Sequence, residues 1–557
     1  MKKLSLLTLF CCSLLMAQPT LNINKVSTAL ELELVQAPDD MLIVSLLLAD
    51  RVDMVALEGR LRLGKATLEM RTENTIRLLK QKAATTQGPI IDFLRQHPQV
   101  DHRFIHPFWI NNVIFAKVHP DVVAELSQRN DIEWIDKNYD TEPLAYEEVG
   151  EAPAMVPGGR EPGLDAIRAP LMWKLGYTGK DRVVMSFDTG VDETHPALVD
   201  RWRATVVPQE WTWFDFVDSA NFNPSNCGNH GNHTVGTMVG VNPITNDTTG
   251  VAPQAYWIGT AGLCSTFGQV GNTATFQWAL DPDGDSTTTF DMPDVINNSW
   301  RHPGLTGECN GFYVGLFQAL ESVGIAVVFA AGNSGPGTST ITAPTNINHD
   351  TVDVFGVGSL DANNVNLPAS GFSSRGPSVC GGEGTLLIKP EVSAPGSNVR
   401  STVFNGNYAF FSGTSMAAPH VSGAILLLKD AFPTLTSRTL KMALFKTARD
   451  LGPRGEDNTF GMGIIDVFTA YLELVADGNV PNSGTPPVLE VAVRAMLAPS
   501  DSLLCATSVD PIVRIKNYGT DTVTSLKIVS SYSNGINDTL DWTGSWAPGT
   551  EMDVPLG

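Results

Sequence analysis

The chain has 557 residues, of which 17% are charged and 43% hydrophobic, and its formal net charge is -22. Because an ordinary domain has about 100 to 200 residues, this length predicts several domains. The excess of acidic side chains argues against a nucleic acid or an anionic membrane surface as partner and favours a soluble protein with an acidic surface. Composition alone says nothing about the chemistry.

Residues 1–17 are typical of a secretory signal peptide. Two lysines precede an apolar run over residues 4–16, and Ala17 before Gln18 marks the expected cleavage point. A membrane anchor is the alternative, but it needs about 20 apolar residues and this run is shorter. No later segment is long and apolar enough to span a bilayer, so we expect a secreted, extracellular protein without a membrane span.

Removal of the signal peptide would leave an odd number of cysteines: Cys227, Cys264, Cys309, Cys380 and Cys505. In an oxidising compartment such residues favour disulfides, and one thiol is then left over or pairs between chains. None belongs to a C-x-x-C pair, so neither a zinc cluster nor a redox site is indicated. We expect one or two disulfides, and their pairing stays open.

Residues 18–150 form the first predicted unit, together with part of an exposed linker. Strand patterns cover 44–48, 112–118 and 132–135, and helix patterns cover 65–82, with a continuation over 90–95, and 120–129. The sequence therefore predicts two helices on one small sheet. The linker, 141–163, is rich in Glu, Pro and Gly, and we expect it to be exposed, mobile and easily cut because it can bury little apolar surface.

Residues 160–475 form the largest predicted domain. Short, largely apolar runs alternate with helical stretches, and such runs occur at 183–187, 294–296, 325–330 and 354–357. Apolar runs of this kind are typical of parallel strands that are buried on both faces, with helices as crossovers. The prediction is a doubly wound, mainly parallel α/β sheet, in which ligands bind at the carboxyl ends of the strands.

Residues 488–557 follow a second linker and change to a period of two. Val513 and Ile515 alternate with charged residues, which predicts a small all-β sandwich. We expect a binding or spacing module, with a stabilising appendage as the alternative. Trp542 and Trp546 are compatible with carbohydrate stacking, but aromatic residues in strands are usually core. The last residues read as a strand that stops abruptly, so this domain is expected to be incomplete.

Four segments carry the residue types that hydrolysis by a serine needs. Asp188 follows an apolar strand and can hold the tautomer of an imidazole, although strand-end aspartates are also common helix caps. His230 precedes Gly231, which lets another part of the backbone approach. Ser415 begins a helix, where its N–H can serve an oxyanion or its side chain can simply cap the helix. Asn333 can donate its amide to the oxyanion, although an asparagine in a Gly-rich turn is more often a turn residue.

His233 lies one turn beyond His230. The spacing of three, with no glutamate between, does not match the helical two-histidine metal motif. We therefore interpret His233 as a structural, hydrogen-bonded histidine, since buried polar side chains are usually satisfied by a partner.

In the order Asp, His, Asn, Ser, these segments resemble the subtilase family of serine peptidases. Further strings of the same kind extend the resemblance over most of 164–475, at 250–253, 373–377, 389–396 and 461–466. Residues 282–300 are similar to those of bacillopeptidase F-like members of that family. The first unit resembles the subtilase propeptide, a ferredoxin-like β-α-β-β-α-β domain that is both chaperone and inhibitor.

The resemblance implies a secreted serine endopeptidase that acts on protein or peptide substrates through an acyl-enzyme and is made as a self-processing zymogen. Asp188 would orient His230, His230 would be general base and then acid, and Ser415 would be the nucleophile. Asn333 and the Ser415 N–H would form the oxyanion hole. No cofactor is required for this chemistry, and the propeptide would be an intramolecular inhibitor. The substrate would be flanked by Ser299, Trp300, Arg301, Ala330 and Gly332.

Three features depart from the family pattern. A threonine usually stands at the position of Asn232. A glycine usually stands at the position of Arg301, so a narrowed or acid-preferring pocket and an arginine that points to solvent are both open. Asp281, Asp283 and Asp285 resemble the start of a calcium loop, but a glycine within the run and the absence of a glutamate at the twelfth position spoil the EF-hand pattern. A structural calcium ion there stays open, and no metal ligand is assigned.

Three other functions fit parts of the pattern. An esterase or lipase would carry G-x-S-x-G with its serine first in the chain, whereas Ser415 lies in Gly-Thr-Ser-Met-Ala and comes last. A catalytically silent binding protein would lack a member of the triad, and all members are present. A peptide ligase would pass the acyl group to an amine, which only product analysis distinguishes from hydrolysis.

Overall fold

The computed structural model describes residues 20–152, 159–303, 305, 309, 312–482, 491–498, 511–517, 521–531 and 537–556. The predicted signal peptide, Cys505 and residues 153–158 of the predicted linker lie outside the described residues. Within the described ranges, no helix has both the length and the apolar character needed to cross a membrane.

The strands in the described ranges are β1 (Leu42–Leu48), β2 (Val100–Phe108), β3 (Val113–Val118), β4 (Ile132–Lys137), β5 (Glu142–Pro143), β6 (Glu147–Glu151), β7 (Val183–Phe187), β8 (Tyr256–Thr260), β9 (Val295–Asn298), β10 (Trp300–Arg301), β11 (Ala326–Ala330), β12 (Phe355–Leu360), β13 (Val392–Pro395), β14 (Val399–Val403), β15 (Asn407–Ser412), β16 (Val491–Ala498), β17 (Ile512–Asn517), β18 (Val523–Ser531), β19 (Asn537–Trp546) and β20 (Glu551–Pro555). The α-helices are α1 (Thr28–Gln36), α2 (Met54–Leu63), α3 (Leu68–Thr86), α4 (Gly88–Gln96), α5 (Pro120–Ser127), α6 (Pro162–Ala166), α7 (Ala169–Lys174), α8 (Asn229–Val239), α9 (Gln269–Ala279), α10 (Phe312–Ser322), α11 (Thr414–Ala431), α12 (Ser437–Thr447) and α13 (Val467–Ala476). Short 3₁₀ helices lie at Ile23–Lys25, Val199–Arg201, Arg203–Thr205, Gln209–Trp211, Gly262–Cys264 and Gly384–Leu386.

One compact unit contains the described residues up to Arg51, Lys82–Phe108 and Asn112–Asn138. Its four strands pair antiparallel in the order β2-β3-β1-β4. This is the strand order of a ferredoxin-like sheet, so the predicted type of sheet is confirmed. The helix predicted over 65–82 corresponds to α3, most of which belongs to the second compact unit. The sequence did not predict β2, because its polar residues Asp101, His102 and Arg103 interrupt the apolar alternation.

A second compact unit contains Val52–Gln81, Trp109–Asn111 and the chain from Tyr139 onward. Its centre is a parallel six-stranded sheet in the order β13-β12-β11-β9-β7-β8. The helix α11 packs across five of these strands and is buried along its whole length. The strands of the sheet and the central helix are mainly apolar because both are covered on every side. The predicted doubly wound α/β sheet is confirmed.

The chain order reverses at β7, which lies between β8 and β9. In open α/β sheets, ligands bind beyond the carboxyl ends of the strands at such a switch point. Asp188 follows β7 directly and Ser299 follows β9, so the polar residues singled out from the sequence lie at this edge of the sheet.

Two disulfides, Cys227–Cys264 and Cys309–Cys380, are formed in the second unit. The C-terminal strands form two antiparallel sheets, β16-β17-β20 and β18-β19. Val513 and Ile515 of the first sheet share an apolar core with Val523 and Trp546 of the second. This arrangement agrees with the predicted sandwich, and Trp546 belongs to its core.

The expectation of a free linker after the first unit is wrong for two stretches of it. β5 pairs antiparallel with β10, and β6 pairs antiparallel with β15. The side chains of β6 are all exposed, in keeping with its charged sequence. The prediction failed because extended backbone can pair its N–H and C=O groups with a sheet edge whatever its side chains are.

Candidate active site

Asp188 and His230 form a buried hydrogen-bonded pair. Asp188 Oδ1 lies 2.6 Å from His230 Nδ1, and both side chains are at most 1% exposed. The same carboxylate accepts hydrogen bonds from the N–H of Thr189 at 2.7 Å and from the hydroxyl of Thr234 at 3.3 Å. These donors replace the water that the buried carboxylate has lost. Because an ionised carboxylate can only accept, Nδ1 carries the proton and Nε2 of His230 is left as an acceptor.

Two glycines bring the pair together. A Cβ atom at Gly231 would lie 2.2 Å from the carbonyl oxygen of Gly190, so any larger residue after His230 would displace α8. Gly190 itself has a φ of 91° and approaches the carbonyl of Ser225, where a Cβ atom would lie 1.8 Å from the oxygen. Glycine is the residue that combines positive φ with such close backbone contact.

Ser415 is the second residue of α11 and is completely buried. Neither its Oγ nor Nε2 of His230 has a hydrogen-bond partner among the described residues. Buried polar atoms without partners are unusual and are typical of sites whose partner is a reacting molecule. Ser415 also stands at the N-terminus of α11, where the helix dipole favours a negative charge.

Asn333 is held by both polar groups of Thr414. The N–H and the hydroxyl of Thr414 each donate to Asn333 Oδ1 at 2.8 Å, and the same hydroxyl accepts from the N–H of Gly332 at 3.1 Å. Fixing Oδ1 in this way turns the amide nitrogen of Asn333 to the opposite side. There Nδ2 donates to the carbonyl oxygen of Ala145 at 2.5 Å.

Residues 140–147, called the bound segment below, run across this group of residues as an extended peptide. On one side Glu142 pairs with Arg301, and the N–H of Leu144 donates to the carbonyl of Ser299 at 3.2 Å. On the other side Glu147 pairs with Ser412. Between them, the ring of Tyr146 lies 4.9 Å from the ring of His230, centre to centre. A peptide added as a strand in this manner is bound mainly through its backbone.

The residues predicted to flank a substrate take different positions. Ser299 and Arg301 contact the segment directly, whereas the ring of Trp300 is buried against Phe187 and Phe329, with centroid distances of 5.3 and 5.1 Å. Trp300 therefore offers its backbone rather than its side chain to the paired peptide. Ala330 ends β11, and its carbonyl accepts from the hydroxyl of Thr345 at 2.9 Å. Gly332, with a φ of 111°, connects that strand to Asn333.

The interpretation of His233 as a structural residue is confirmed. Its Nε2 lies 3.0 Å from the carbonyl of Val399 and 3.2 Å from that of Ala409, and its ring stacks on Phe411. Burial lowers the pKa of His233 to about 3, so the ring is neutral. Asn232, which stands where the family usually has a threonine, accepts the N–H of Asp192 through its Oδ1 at 2.5 Å.

The sequence did not point to His302 and Asn272, which both contact the bound segment. Asn272 Nδ2 donates to Thr141 Oγ1 at 2.8 Å, and His302 Nδ1 donates to the carbonyl of Asp140 at 2.7 Å. Burial lowers the pKa of His302 to about 4. The one available signal was that His302 directly follows Arg301.

The acidic cluster differs from the one suggested by the sequence. Carboxylate oxygens of Asp281, Asp283 and Asp291 lie within 4.8 Å of one another, and Asp285 is not in this group. Asp285 instead accepts from the hydroxyl of Thr287 at 2.7 Å, as a turn residue does. Asp291 is completely buried, and burial raises its pKa to about 6. Carboxylate oxygens are ligands that Ca²⁺ prefers, so the donor set fits such an ion.

Comparison with known proteins agrees with this geometry. The family model described as "Subtilase family" matches residues 179–463, which is more than half of the chain. Bacillopeptidase F of Bacillus subtilis (strain 168) is 32% identical over 451 residues, which cover 74% of this chain and 30% of that protein. Subtilisin E of the same strain is 30% identical over 64% of this chain and 80% of its own length, and subtilisin of Bacillus pumilus is 32% identical over 55% and 97%. This chain spans less than a third of bacillopeptidase F, but most of the two subtilisins. The chain belongs to the subtilase family.

Proposed function

We propose that this protein is a serine endopeptidase that hydrolyses peptide bonds through an acyl-enzyme. The observation that carries the proposal is the 2.6 Å contact between Asp188 and His230, together with Nε2 of His230 and Oγ of Ser415, which are both buried and have no hydrogen-bond partner among the described residues. A base with a fixed tautomer and a buried serine hydroxyl without a hydrogen-bond partner are two of the groups that acyl transfer by a serine needs.

Each residue has one task in this reaction. His230 Nε2 takes the proton of Ser415 Oγ as the oxygen attacks the substrate carbonyl carbon, and the C–N bond breaks when the same proton is given to the leaving amine. Asn333 Nδ2 and the N–H of Ser415 stabilise the negative oxygen of each tetrahedral intermediate. Asp188 stabilises the imidazolium that forms between the two transfers. Water, activated by the same base, then releases the acyl group from Ser415.

We further propose that the chain is exported by its signal peptide as a zymogen that cuts itself in the segment 141–151. The contact of Asn333 Nδ2 with the carbonyl oxygen of Ala145 supports Ala145–Tyr146 as the bond that is cut, since the oxyanion donor binds the carbonyl that is attacked. The pairing of Glu147 with Ser412 supports the same bond from its other side. After cleavage, residues 142–145 would still pair as a strand and act as a product inhibitor.

A calcium ion at Asp281, Asp283 and Asp291 is the third part of the proposal. It is supported by Oδ1 of Asp281 and Oδ1 of Asp291, which are buried and have no partner among the described residues. Lys80 pairs with Asp281 in the precursor. Lys80 belongs to the segment that self-cleavage would release. On maturation the three carboxylates would therefore lose this cationic partner and could bind a metal cation instead.

Mass spectrometry of the purified precursor after treatment with a fluorophosphonate probe tests the proposed reaction. We expect one adduct on Ser415, and no adduct in the Ser415→Ala variant. A wild-type protein that stays unlabelled after processing by an added protease would contradict an assembled active site and would favour a binding function on this scaffold.

A further inference from the structure

We propose that the enzyme selects substrates with an acidic side chain at the position of Glu142 and a hydroxyl side chain at the position of Thr141. The proposal rests on the function proposed above, because it treats the bound segment as a substrate. It adds two recognition sites, one formed by Arg301 and one formed by Asn272 and His302.

Arg301 recognises the side chain of Glu142. Its Nε and Nη2 lie 2.7 and 2.6 Å from Glu142 Oε1, and the two residues are directly paired in the β5–β10 ladder. Glu142 is the ion-pair partner of Arg301 among the described residues, so a substrate that replaces the segment meets a cation that it can pair with. Both side chains are about one third to one half exposed, which limits the expected selectivity to a modest factor.

The hydroxyl of Thr141 lies in a buried polar pocket. Oγ1 accepts from Asn272 Nδ2 at 2.8 Å and lies 3.3 Å from His302 Nδ1. Asn272 and His302 are 1% and 0% exposed, so neither can turn to water when the hydroxyl is missing. The pocket therefore favours a side chain that places an oxygen atom there over one that places a methyl group there.

The protonation of His302 is fixed by its neighbours. Nδ1 faces the carbonyl oxygen of Asp140, which can only accept, so this nitrogen carries the proton. Nε2 therefore accepts the hydroxyl of Tyr313, whose ring packs against the imidazole. The ring of His302 stays neutral, and each of its nitrogens has a hydrogen-bond partner. Nδ1–H is therefore held in place as the donor that a substrate meets.

Two different costs follow for substrates that lack these groups. A valine in place of the threonine keeps the shape of the side chain but removes the acceptor that lies 2.8 Å from Asn272 Nδ2, whose contact with His302 Nε2 is longer, at 3.4 Å. The weakened pairing of this buried amide predicts a loss of about tenfold in kcat/KM. A glutamine in place of the glutamate loses a half-exposed ion pair, which predicts a loss of about two- to fivefold, and a lysine adds repulsion.

The test uses internally quenched peptides with the sequence of residues 140–147 and the wild-type, fully processed enzyme. The peptides carry Glu142→Gln, Glu142→Lys or Thr141→Val, and rates are normalised to the active sites counted with a fluorophosphonate. We expect kcat/KM to fall in the order Glu, Gln, Lys at position 142, and to fall on loss of the hydroxyl at position 141. Equal rates on all four peptides would overturn the proposal.

Reversing the charge of residue 301 tests whether Arg301 causes the preference for an acidic side chain at position 142. In Arg301→Glu, the order of the Glu142 and Glu142→Lys peptides should reverse, while the loss caused by Thr141→Val should persist. Arg454→Glu makes the same charge change at an exposed arginine outside the site and should keep the wild-type order. An unchanged order in Arg301→Glu contradicts the role of Arg301, and Arg301→Gln, expected to equalise the two peptides, serves if the reversal prevents folding. Failure of the proposed reaction is distinguishable, because no peptide would then be cut and no active site would be labelled.

Discussion

The side-chain amide of Asn333 donates to the carbonyl oxygen of Ala145, a residue 188 positions earlier in the chain, at 2.5 Å. Thr414, the neighbour of Ser415, holds the other end of the same amide through two hydrogen bonds of 2.8 Å. The proposed nucleophile and the proposed oxyanion donor are therefore positioned by one small network. A peptide carbonyl that binds to this amide is brought to the N-terminus of α11.

Replacing this donor should reduce turnover far more than substrate binding. For Asn333→Ala we expect kcat to fall by about 10² to 10³, the loss known for removing such a donor from subtilisin, with KM nearly unchanged. Steady-state kinetics on one peptide substrate measures the two constants separately. Ser334→Ala, next in the chain, is the matched control and should keep its kcat. A large rise in KM with an unchanged kcat would show that Asn333 binds the ground state and the transition state equally.

Self-processing should depend on Ser415. The purified Ser415→Ala precursor should keep its intact mass over hours, whereas the wild-type precursor should release its N-terminal part. N-terminal sequencing of the wild-type product should begin at Tyr146. Processing of the purified Ser415→Ala protein to the same N-terminus would show that another protease makes the cut, and a start at Ala145 would move the cut to the preceding bond.

Adding catalytic amounts of wild-type enzyme to the Ser415→Ala precursor is the control for accessibility. Cleavage in this mixture would show that the segment can also be cut by a second molecule. The order of the first cut, within or between molecules, then follows from the dependence of the wild-type rate on protein concentration.

Buried histidines should make the folded protein sensitive to acid. Burial lowers the pKa of His302 and of His420 to about 4, from 6.5. Both rings are neutral when folded, so the stability they contribute is complete above about pH 6.5 and is lost as the pH falls toward 4, by up to about 3 kcal/mol for each ring.

Urea unfolding of the Ser415→Ala precursor between pH 7 and pH 4 measures this loss without self-digestion. In His420→Gln the slope of stability against pH should be smaller, whatever the stability at pH 7. His102→Gln, which removes an exposed histidine, should leave the slope as it is. Identical slopes in His420→Gln and in the parent would contradict a neutral, buried His420.

Calcium should stabilise the processed protein more than the precursor. At a concentration about 100-fold above its dissociation constant, one ion contributes about 2.7 kcal/mol, which corresponds to a Tm increase of about 5 to 10 °C. In the precursor Lys80 already pairs with Asp281, so the increase should be smaller. Differential scanning calorimetry with calcium and with a chelator, on Ser415→Ala protein before and after processing, compares the two.

Two variants distinguish the calcium site proposed from the structure, which includes Asp291, from the one suggested by the sequence, which includes Asp285. Asp291→Asn should abolish the calcium-dependent increase, whereas Asp285→Asn, in the same loop, should retain it. The opposite result would show that the ion binds at the run of aspartates suggested by the sequence. An equal Tm with calcium and with chelator in the processed parent would contradict a site at this loop.

The sequence by itself determined the class of the fold and the residues of the proposed triad. Strands such as Val183–Phe187 are mainly apolar because both faces of the sheet are covered, and this pattern can be recognised in the sequence without any contact being known. Asp188, His230 and Ser415 could be recognised because each lies close to a strand end or a glycine in a family-like string. For the same reason the first unit was predicted with its correct type of sheet.

Only the tertiary structure decided how residues that are distant in sequence meet. Glu142 and Arg301, Thr141 and Asn272, and Asp281 and Asp291 come together because strand pairing and loop closure bring their backbones close, and no local pattern encodes such a pairing. A charged, proline-containing segment was therefore predicted as a free linker, although its backbone supplies a strand at the active site. Side-chain patterns report what is buried, whereas the partners of a backbone are decided by the whole fold.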